Sequence, residues 1–307
     1  MSLLHGLPHV EVEALADPRM LLDALSRYRV TWGIASAVLW AKMLPIYAAD
    51  PGAYDLSALN SAYGLMVSMV SHTIYDGWKE HGVVLRNPMG STQFATWFMT
   101  PGRNEDTPPA CVGRPSPGYQ ATVIDAEKPG FHELGPDEIG LLAVKGPSGL
   151  TYWNRPRSLQ ERDVRNGWTI MDDLAKRDAE GRFWYLGRAD FMINTAGFKV
   201  APVEVEDVLA EHPAVGEAAV VGSPDPERGE AVTAWVVLNP AFTACDELGK
   251  ELQAFVKSRI SPYKYPRRVV FTASLPRDPV GKVQVRDLRD RSKAFGSAGG
   301  AVLILDN

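Results

Sequence analysis

The chain has 307 residues, of which 45% are hydrophobic and 22% charged, and its formal net charge is -5. This length accommodates two domains with separate cores. Basic residues are interspersed with acidic ones, so we expect no basic surface that would bind nucleic acid or an anionic membrane. The start of the chain lacks a signal-peptide pattern and no run of 18 apolar residues occurs, so we expect a cytoplasmic protein with no membrane contact.

The first hundred residues alternate between predicted strands and predicted helices. Strands are predicted at residues 9–15 and 83–85, and helices over a segment beginning after Asp17-Pro18, over residues 34–44 and over residues 67–78. Such alternation indicates an α/β layer.

Two further regions follow, which differ in their predicted secondary structure. Between Gly102 and Gly149, Pro and Gly punctuate short predicted strands at residues 120–124 and 139–145, which is typical of a small β-rich subdomain. Beyond residue 188, predicted strands alternate with two helices, one with Val205, Val208 and Leu209 inward and one over residues 247–260. Residues 296–300 (GSAGG) read as a flexible linker to an apolar end at 301–305.

The cysteines and histidines show no pattern of a metal or nucleophilic site. Cys111 and Cys245 are far apart and lack metal-ligand spacing, which favours free thiols in a reducing compartment. The six histidines are scattered without paired spacing, so we expect no metal site.

Several motifs occur together in a fixed order. They are Trp184–Asp190 (WYLGRAD), Asn194–Val200 (NTAGFKV), Pro202–Glu206 (PVEVE), His212–Val215 (HPAV), Pro262–Pro266 (PYKYP) and Pro279–Lys282 (PVGK). Together they resemble the acyl- and aryl-CoA ligases of the adenylate-forming superfamily, with the benzoate-CoA ligases nearest. The agreement of several motifs in order carries this resemblance, because any one of them alone is a weak signal.

The resemblance implies roles for particular residues. Lys282 matches the catalytic lysine that bridges the substrate carboxylate and the α-phosphate, where a cation offsets developing negative charge. Asp173 matches the carboxylate that accepts hydrogen bonds from both ribose hydroxyls, and Arg188 matches the arginine near ribose and phosphate.

The terminal region carries the remaining implied roles. Asp190 matches the hinge about which the terminal domain turns. Gly197 and Lys199 match the loop that faces CoA, where glycine lets the pantetheine chain approach the backbone. CoA or acyl-CoA is therefore the implied cofactor.

The sequence also departs from the family pattern. Thr92 and Gln93 match nucleotide-binding positions of the family. Gln93, however, stands where the family has a glutamate that helps to hold Mg²⁺, and a neutral amide is a poorer ligand for a hard dication. Asp172 stands where the family usually has glycine. No Ser/Thr/Gly-rich phosphate loop ending in Lys precedes these motifs. These departures argue against ATP, AMP and Mg²⁺ as ligands.

The fold class implied is a truncated α/β body with a β-rich subdomain plus a separate α+β cap. The body spans residues 1–187, with the α/β layer at 1–100 and the subdomain at 101–187, and the mobile cap spans 188–307. Without the front of a ligase, the helices near residues 21–28 and 34–44 are expected to be uncovered, which predicts a homodimer or a separately encoded partner protein.

Two functions remain open at this point. One is an enzyme that works on acyl adenylates or thioesters of a small carboxylic acid, with a partner subunit or on a pre-activated acyl group. The other is a non-catalytic protein that binds an acyl, CoA or nucleotide group, or that acts as a scaffold.

Overall fold

The computed structural model describes residues 6, 8–12, 17–65, 72–102, 105, 107–108, 110–278, 283–295 and 302–304. They form two compact units, one of residues Met1–Met89 with Met99–Gly113 and the other of Gly90–Phe98 with Arg114–Asn307. The boundary expected between residues 187 and 188 lies inside the second unit and stays a prediction. The mixed α/β architecture confirms the predicted fold class.

The first unit is a three-stranded parallel sheet covered by helices. Its elements are α1 (Pro18–Arg27), β1 (Trp32–Ser36), α2 (Ala37–Ala49), β2 (Ser61–Leu65), α3 (His72–Glu80) and β3 (Leu85–Arg86). The strand order is β1-β2-β3, with Trp32 opposite Ser61 and Ala62 opposite Leu85. The predicted cap of α1 is confirmed, because the Asp17 carboxylate accepts a hydrogen bond from the backbone N–H of Arg19 at 2.9 Å.

Helix α2 is the centre of this unit's core. Trp40 and Trp78 are both fully buried and meet edge to face with ring centroids 5.3 Å apart. The indole N–H of Trp78 donates to the Trp40 carbonyl oxygen at 2.9 Å, which ties α3 to α2. The expectation that the helix near residues 34–44 is uncovered is therefore wrong. Among the described residues of this unit, large exposed apolar side chains include Met20, Tyr28, Trp32 and Ile34.

Two local predictions in this unit differ from the structure. Residues 8–12 have no regular structure where a strand was predicted, and residues 13–16 lie outside the described residues. Residues 34–36 belong to strand β1, and the helix begins only at Ala37, because the Ser36 hydroxyl accepts from the Leu39 N–H at 3.3 Å and caps it.

The second unit begins with an antiparallel region. Its first elements are β7 (Gln120–Ile124), β8 (Gly140–Lys145), α4 (Arg157–Asp163), β9 (Val164–Arg165), β10 (Trp168–Arg177) and β11 (Phe183–Arg188). The strands run in the order β11-β10-β8-β7, and β9 pairs with β10. Three earlier strands, β4 (Met89–Ser91), β5 (Thr96–Thr100) and β6 (Cys111–Pro115), cross the boundaries between the two units. The predicted strands at 120–124 and 139–145 are confirmed to within one residue.

The rest of the second unit is an α+β layer. Its elements are β12 (Ile193–Thr195), β13 (Phe198–Val200), α5 (Pro202–Ala210), β14 (Val215–Asp225), β15 (Gly229–Leu238), α6 (Asp246–Arg259), β16 (Arg268–Phe271), α7 (Val285–Lys293) and β17 (Val302–Ile304). The sheet order is β13-β12-β15-β16-β17, with β14 paired to β15.

Helices α5 and α6 contribute apolar faces to the core of this layer. Val205 and Leu209 are fully buried, as predicted, and they share a core cluster with Leu252 and Val256 of α6. The apolar end of the chain contributes β17, a parallel partner of β16 that the sequence did not predict. Residues 296–300, predicted as a linker, lie outside the described residues. No helix among the described segments is long and apolar enough to cross a membrane.

Candidate functional site

A β-bulge in the β10–β11 hairpin sets the geometry of the candidate site. Asp173 is opposite Arg188 and Ala175 is opposite Tyr185, so β11 has one extra residue between these two pairs. Side chains alternate between faces in a regular strand, and the extra residue reverses that alternation. Tyr185 and Arg188, three positions apart, therefore lie on the same face as Asp173. The bulge requires Gly187, whose φ of +106° is outside the range of ordinary L residues.

Asp173 is a largely desolvated carboxylate on this face. Burial raises its pKa above the usual value, while the charge of Arg188 and a hydrogen bond from the Tyr185 hydroxyl act in the opposite direction. Burial also raises the pKa of Tyr185, with a further contribution from Asp173, so Tyr185 remains a neutral donor. An oriented carboxylate of this kind has accepting capacity for a pair of neighbouring hydroxyl groups.

Arg188 is held by carboxylates on either side of it. Its Nε donates to Oδ1 of Asp190 at 2.8 Å, and its terminal nitrogen lies 3.2 Å from Oδ2 of Asp172. The hydrogen bond with Asp190 raises the pKa of Arg188, and the charges of Asp173 and Asp172 add to this effect. One guanidinium therefore has three aspartates around it, at positions 172, 173 and 190.

Asp190, the predicted hinge, lies in a short 3₁₀ turn, Ala189–Phe191, directly after β11. Its carbonyl oxygen accepts from Arg289 of α7 at 3.1 Å, and its carboxylate is 3.7 Å from Arg286. Arg289 also donates to Glu230 of β15 at 2.8 Å. The turn at Asp190 is thus attached to the terminal helix as well as to Arg188.

The predicted CoA-facing residues lie in the hairpin of β12 and β13, with Gly197 in its tight turn and Lys199 on β13. Ala196 and Gly197 both have positive φ values, +50° and +82°, which matches the two-residue turn that suits the twist of paired strands. Among the described residues other than its two chain neighbours, none has a heavy atom within 4 Å of where a Cβ on Gly197 would stand, and Gly197 itself is exposed. Lys199 is exposed and pairs with Glu127. Beside it, the ring of Phe198 stacks on Tyr263 with centroids 4.5 Å apart.

The other predicted residues lie elsewhere. Thr92 and Gln93 belong to the turn between β4 and β5, where Thr92 is exposed and Gln93 half-buried. Lys282 lies outside the described residues. Its described neighbour Val283 is buried and forms an antiparallel bridge with Arg277.

The structure therefore brings together Asp173, Arg188 and Asp190 from the predicted set. It adds Tyr185 and Arg289, to which sequence reasoning assigned no role. Tyr185 lies inside the quoted WYLGRAD motif, but strand alternation alone puts it on the opposite face from Arg188. In the part of the chain that the structure describes, no group of three or more His, Cys, Asp or Glu side chains is arranged to hold a metal ion.

Comparison with known proteins identifies the class. Residues 204–282 match the model of the AMP-binding enzyme C-terminal domain. The chain is 34% identical over 312 residues to the mitochondrial acyl-coenzyme A synthetase ACSM1 of Mus musculus, covering 95% of this chain and 50% of that protein. It is 38% identical over 205 residues to the acetyl-coenzyme A synthetase of Bacillus subtilis, covering 63% of this chain and 35% of that protein.

Solved structures agree with this assignment. The anthranilate CoA ligase AuaEII in complex with anthranoyl-AMP superimposes with a TM-score of 0.82 at 28% identity, over 94% of this chain and 55% of that one. A benzoate CoA ligase from Burkholderia xenovorans LB400 gives a TM-score of 0.81 at 30% identity, over 94% and 57%. The chain belongs to the adenylate-forming ligase superfamily, of the acyl-CoA synthetase and AMP-binding type. It spans about half the length of most of the curated relatives it matches.

Proposed function

We propose that this chain supplies the nucleotide- and CoA-handling part of an AMP-forming acid-CoA ligase. In this role it acts on the acyl or aryl adenylate or thioester of a small carboxylic acid, with a partner subunit or on a pre-activated acyl group. The observation that carries the proposal is the common face of Asp173, Tyr185 and Arg188 created by the bulge at Gly187.

The residues present fit the ribose and phosphate of an adenylate. The Asp173 carboxylate accepts hydrogen bonds from two vicinal hydroxyls, and Tyr185 orients it. Arg188 presents planar donors next to it, suited to a phosphate oxygen. The solved relative that carries anthranoyl-AMP supports an acyl adenylate as the ligand class.

The terminal residues 188–307 form a mobile cap in this proposal. Lys282 contributes its charge to the transition state, since it matches the bridging lysine of the family. The turn at Gly197 admits a thin chain such as pantetheine, and Lys199 exchanges Glu127 for an anionic group of CoA. Asp190 is the pivot between the two cap positions.

A second candidate function is a non-catalytic holder of acyl, CoA or nucleotide groups. Gln93 favours it, because an amide in the turn after β4 is a weak ligand for Mg²⁺. Under this alternative the same ligands bind but no chemistry follows.

A partner polypeptide is part of the first proposal. Trp32 and Ile34 are 48% and 42% exposed on β1, which is an outer strand of its three-stranded sheet. Exposed apolar side chains of this size are suited to contact with a second chain or a second copy. Light scattering tests this, and a monomer at micromolar concentration would contradict the homodimer.

Calorimetric titration of adenosine, AMP, CoA and an acyl-CoA tests the ligand assignment. We expect Asp173→Ala to weaken adenosine binding by about 1–3 kcal/mol, because charged hydrogen bonds to the hydroxyls are lost. Absence of binding by all four ligands would refute the nucleotide and CoA assignment and leave a scaffold.

Turnover separates the two candidate functions. We expect Lys282→Ala to lower acyl transfer roughly tenfold or more while ligand affinity stays the same, because the lysine acts in the transition state. We also expect no acid-dependent pyrophosphate exchange by the chain alone. An unchanged rate of acyl transfer in the Lys282 variant would favour the non-catalytic binding protein. Robust acid-dependent pyrophosphate exchange by the chain alone would contradict the need for a partner.

A further inference from the structure

Asp172 places an additional negative charge next to the arginine of the candidate site. Its Oδ2 is 3.2 Å from the terminal nitrogen of Arg188, and its side chain is 69% exposed while that of Arg188 is 36% exposed. The same nitrogen lies 3.4 Å from Oδ2 of Asp190. The face of Arg188 that is suited to a phosphate oxygen is therefore already bonded to carboxylates.

The charges around Arg188 do not balance. Asp172, Asp173 and Asp190 contribute three carboxylates, and Arg188 and Arg286 contribute two cations, with Arg286 3.7 Å from Asp190. Two neighbouring cations, Arg289 and Arg162, are each paired with a carboxylate of their own, Glu230 and Asp163, and add no net charge. If each side chain is ionised, the group carries a net charge of about -1. A ligand with a doubly negative phosphate experiences repulsion there, whereas a neutral nucleoside does not.

We infer that Asp172 is a specificity-determining residue, which selects against dianionic nucleotides in favour of nucleosides and adenylates with one or no negative charge at the 5′ position. The inference rests on the proposed nucleotide site and deepens it. An acyl adenylate carries a single negative charge on its phosphate, while AMP carries nearly two above pH 7 because its second pKa is about 6. Asp172 thus weakens retention of AMP relative to an acyl adenylate.

Asp172 acts through two separable effects. Its charge repels the ligand phosphate, and its oxygen occupies a donor of Arg188. Asp172→Asn removes the charge while keeping an acceptor, and Asp172→Ala removes both. Because the side chain is mostly exposed and its partner pair is on the surface, both variants are expected to fold.

The test is a titration, at pH 8, of three adenosine ligands that carry zero, one and two negative charges at the 5′ position. They are adenosine, the methyl ester of AMP with one negative charge, and AMP with two. We expect Asp172→Asn to tighten AMP binding about five- to tenfold and the methyl ester about two- to threefold, with adenosine changed less than about twofold. Raising the salt concentration should shrink the gain for AMP, because exposed charges are screened.

Glu180→Gln is the matched control. Glu180 is an exposed carboxylate in the turn at the other end of the same hairpin, where it pairs with Arg182, so its removal changes the net charge equally without touching Arg188. We expect the three affinities to stay at wild-type values in this variant.

The possible outcomes are distinct. If the three ligands bind but Asp172→Asn and Asp172→Ala change all three affinities equally or not at all, the inference is wrong and the proposed function stands. If Glu180→Gln reproduces the gain for AMP, the effect is one of net charge and the inference is also wrong. If none of the three ligands binds the wild type or the variants, the nucleotide site itself is refuted.

Discussion

The two ends of the β10–β11 hairpin use the same residue types for different purposes. At the turn end, Asp178 accepts hydrogen bonds from the backbone N–H of Arg182 at 2.8 Å, from its guanidinium at 2.8 Å and from the Trp184 indole at 3.0 Å. At the open end, Asp173 has Tyr185 and the charge of Arg188. Among the described residues, the Asp178 carboxylate thus accepts three hydrogen bonds, from Arg182 and Trp184, whereas that of Asp173 accepts one, from the Tyr185 hydroxyl.

The pKa values of Asp178 and Asp173 are shifted in opposite directions by this difference in hydrogen bonding. Burial opposes ionisation of Asp178, but the hydrogen bonds from Trp184 and Arg182 outweigh it and lower its pKa to about 2. Burial dominates at Asp173 and raises its pKa. A carboxylate that the fold leaves incompletely hydrogen-bonded retains accepting capacity for a ligand, whereas a saturated one stabilises the turn.

The largest effect is expected at the turn end. Asp178→Asn should lower the free energy of unfolding by about 1.5–3 kcal/mol, because charge-assisted hydrogen bonds in a side chain that is 11% exposed are weakened. Chemical denaturation at pH 7 measures it. Asp178→Asn should leave adenosine affinity unchanged, and a loss of affinity equal to that in Asp173→Ala would show that the two ends are not separate.

Glycines at the two ends allow a second, smaller test. Gly187 at the bulge and Gly181 in the turn have φ values of +106° and +78°. Apart from their chain neighbours, no residue in the described part of the chain comes within 4 Å of the point where an added Cβ would stand. Replacement by alanine at either position should cost about 1–2 kcal/mol of stability through backbone strain alone.

Only one of these glycine variants should affect the site. Gly187→Ala should also weaken adenosine binding severalfold, because the bulge puts Tyr185 and Arg188 on the face of Asp173. Gly181→Ala is the control and should bind adenosine normally. Equal affinities in the two variants, measured by calorimetry below their unfolding temperatures, would contradict the importance of the bulge.

The sequence predicted the elements with strong periodicity. The inward positions of α5, Val205 and Leu209, follow from helical spacing and are fully buried, and the strand at 120–124 matches β7 in both bounds. The resemblance implies only that Asp173 and Arg188 serve one ligand, and their direct opposition on β10 and β11 is seen in the structure.

Features that depend on a local irregularity or on distant pairing were not predicted. Strand β1 continues directly into α2 without a loop, because Ser36 both ends the strand and caps the helix. The apolar residues of the two elements are therefore continuous in the sequence, and their pattern predicts a single helix over residues 34–44. Strand β17 is defined by parallel pairing with β16, a contact distant along the chain. Tyr185 required knowledge of the bulge, since regular alternation puts it on the wrong face.

The smallest predicted effect is also the one that contrasts the two ends most directly, namely the pH dependence of stability. The folded-state pKa of Asp173 is raised above 3.8, so the folded chain binds more protons between 3.8 and the raised value, and stability falls as pH rises through this window. Asp178 has the opposite sign, because its lowered pKa adds stability above pH 3.8 that is lost as pH falls toward 2.

Because the raised pKa of Asp173 makes its charged form costly, Asp173→Asn should be more stable than wild type at pH 7 by roughly 0.5 kcal/mol, and the difference should vanish near pH 3. Chemical denaturation from pH 3 to 8 checks this, and an Asp173→Asn variant that is destabilised at pH 7 would mean that Asp173 supports the fold rather than the ligand.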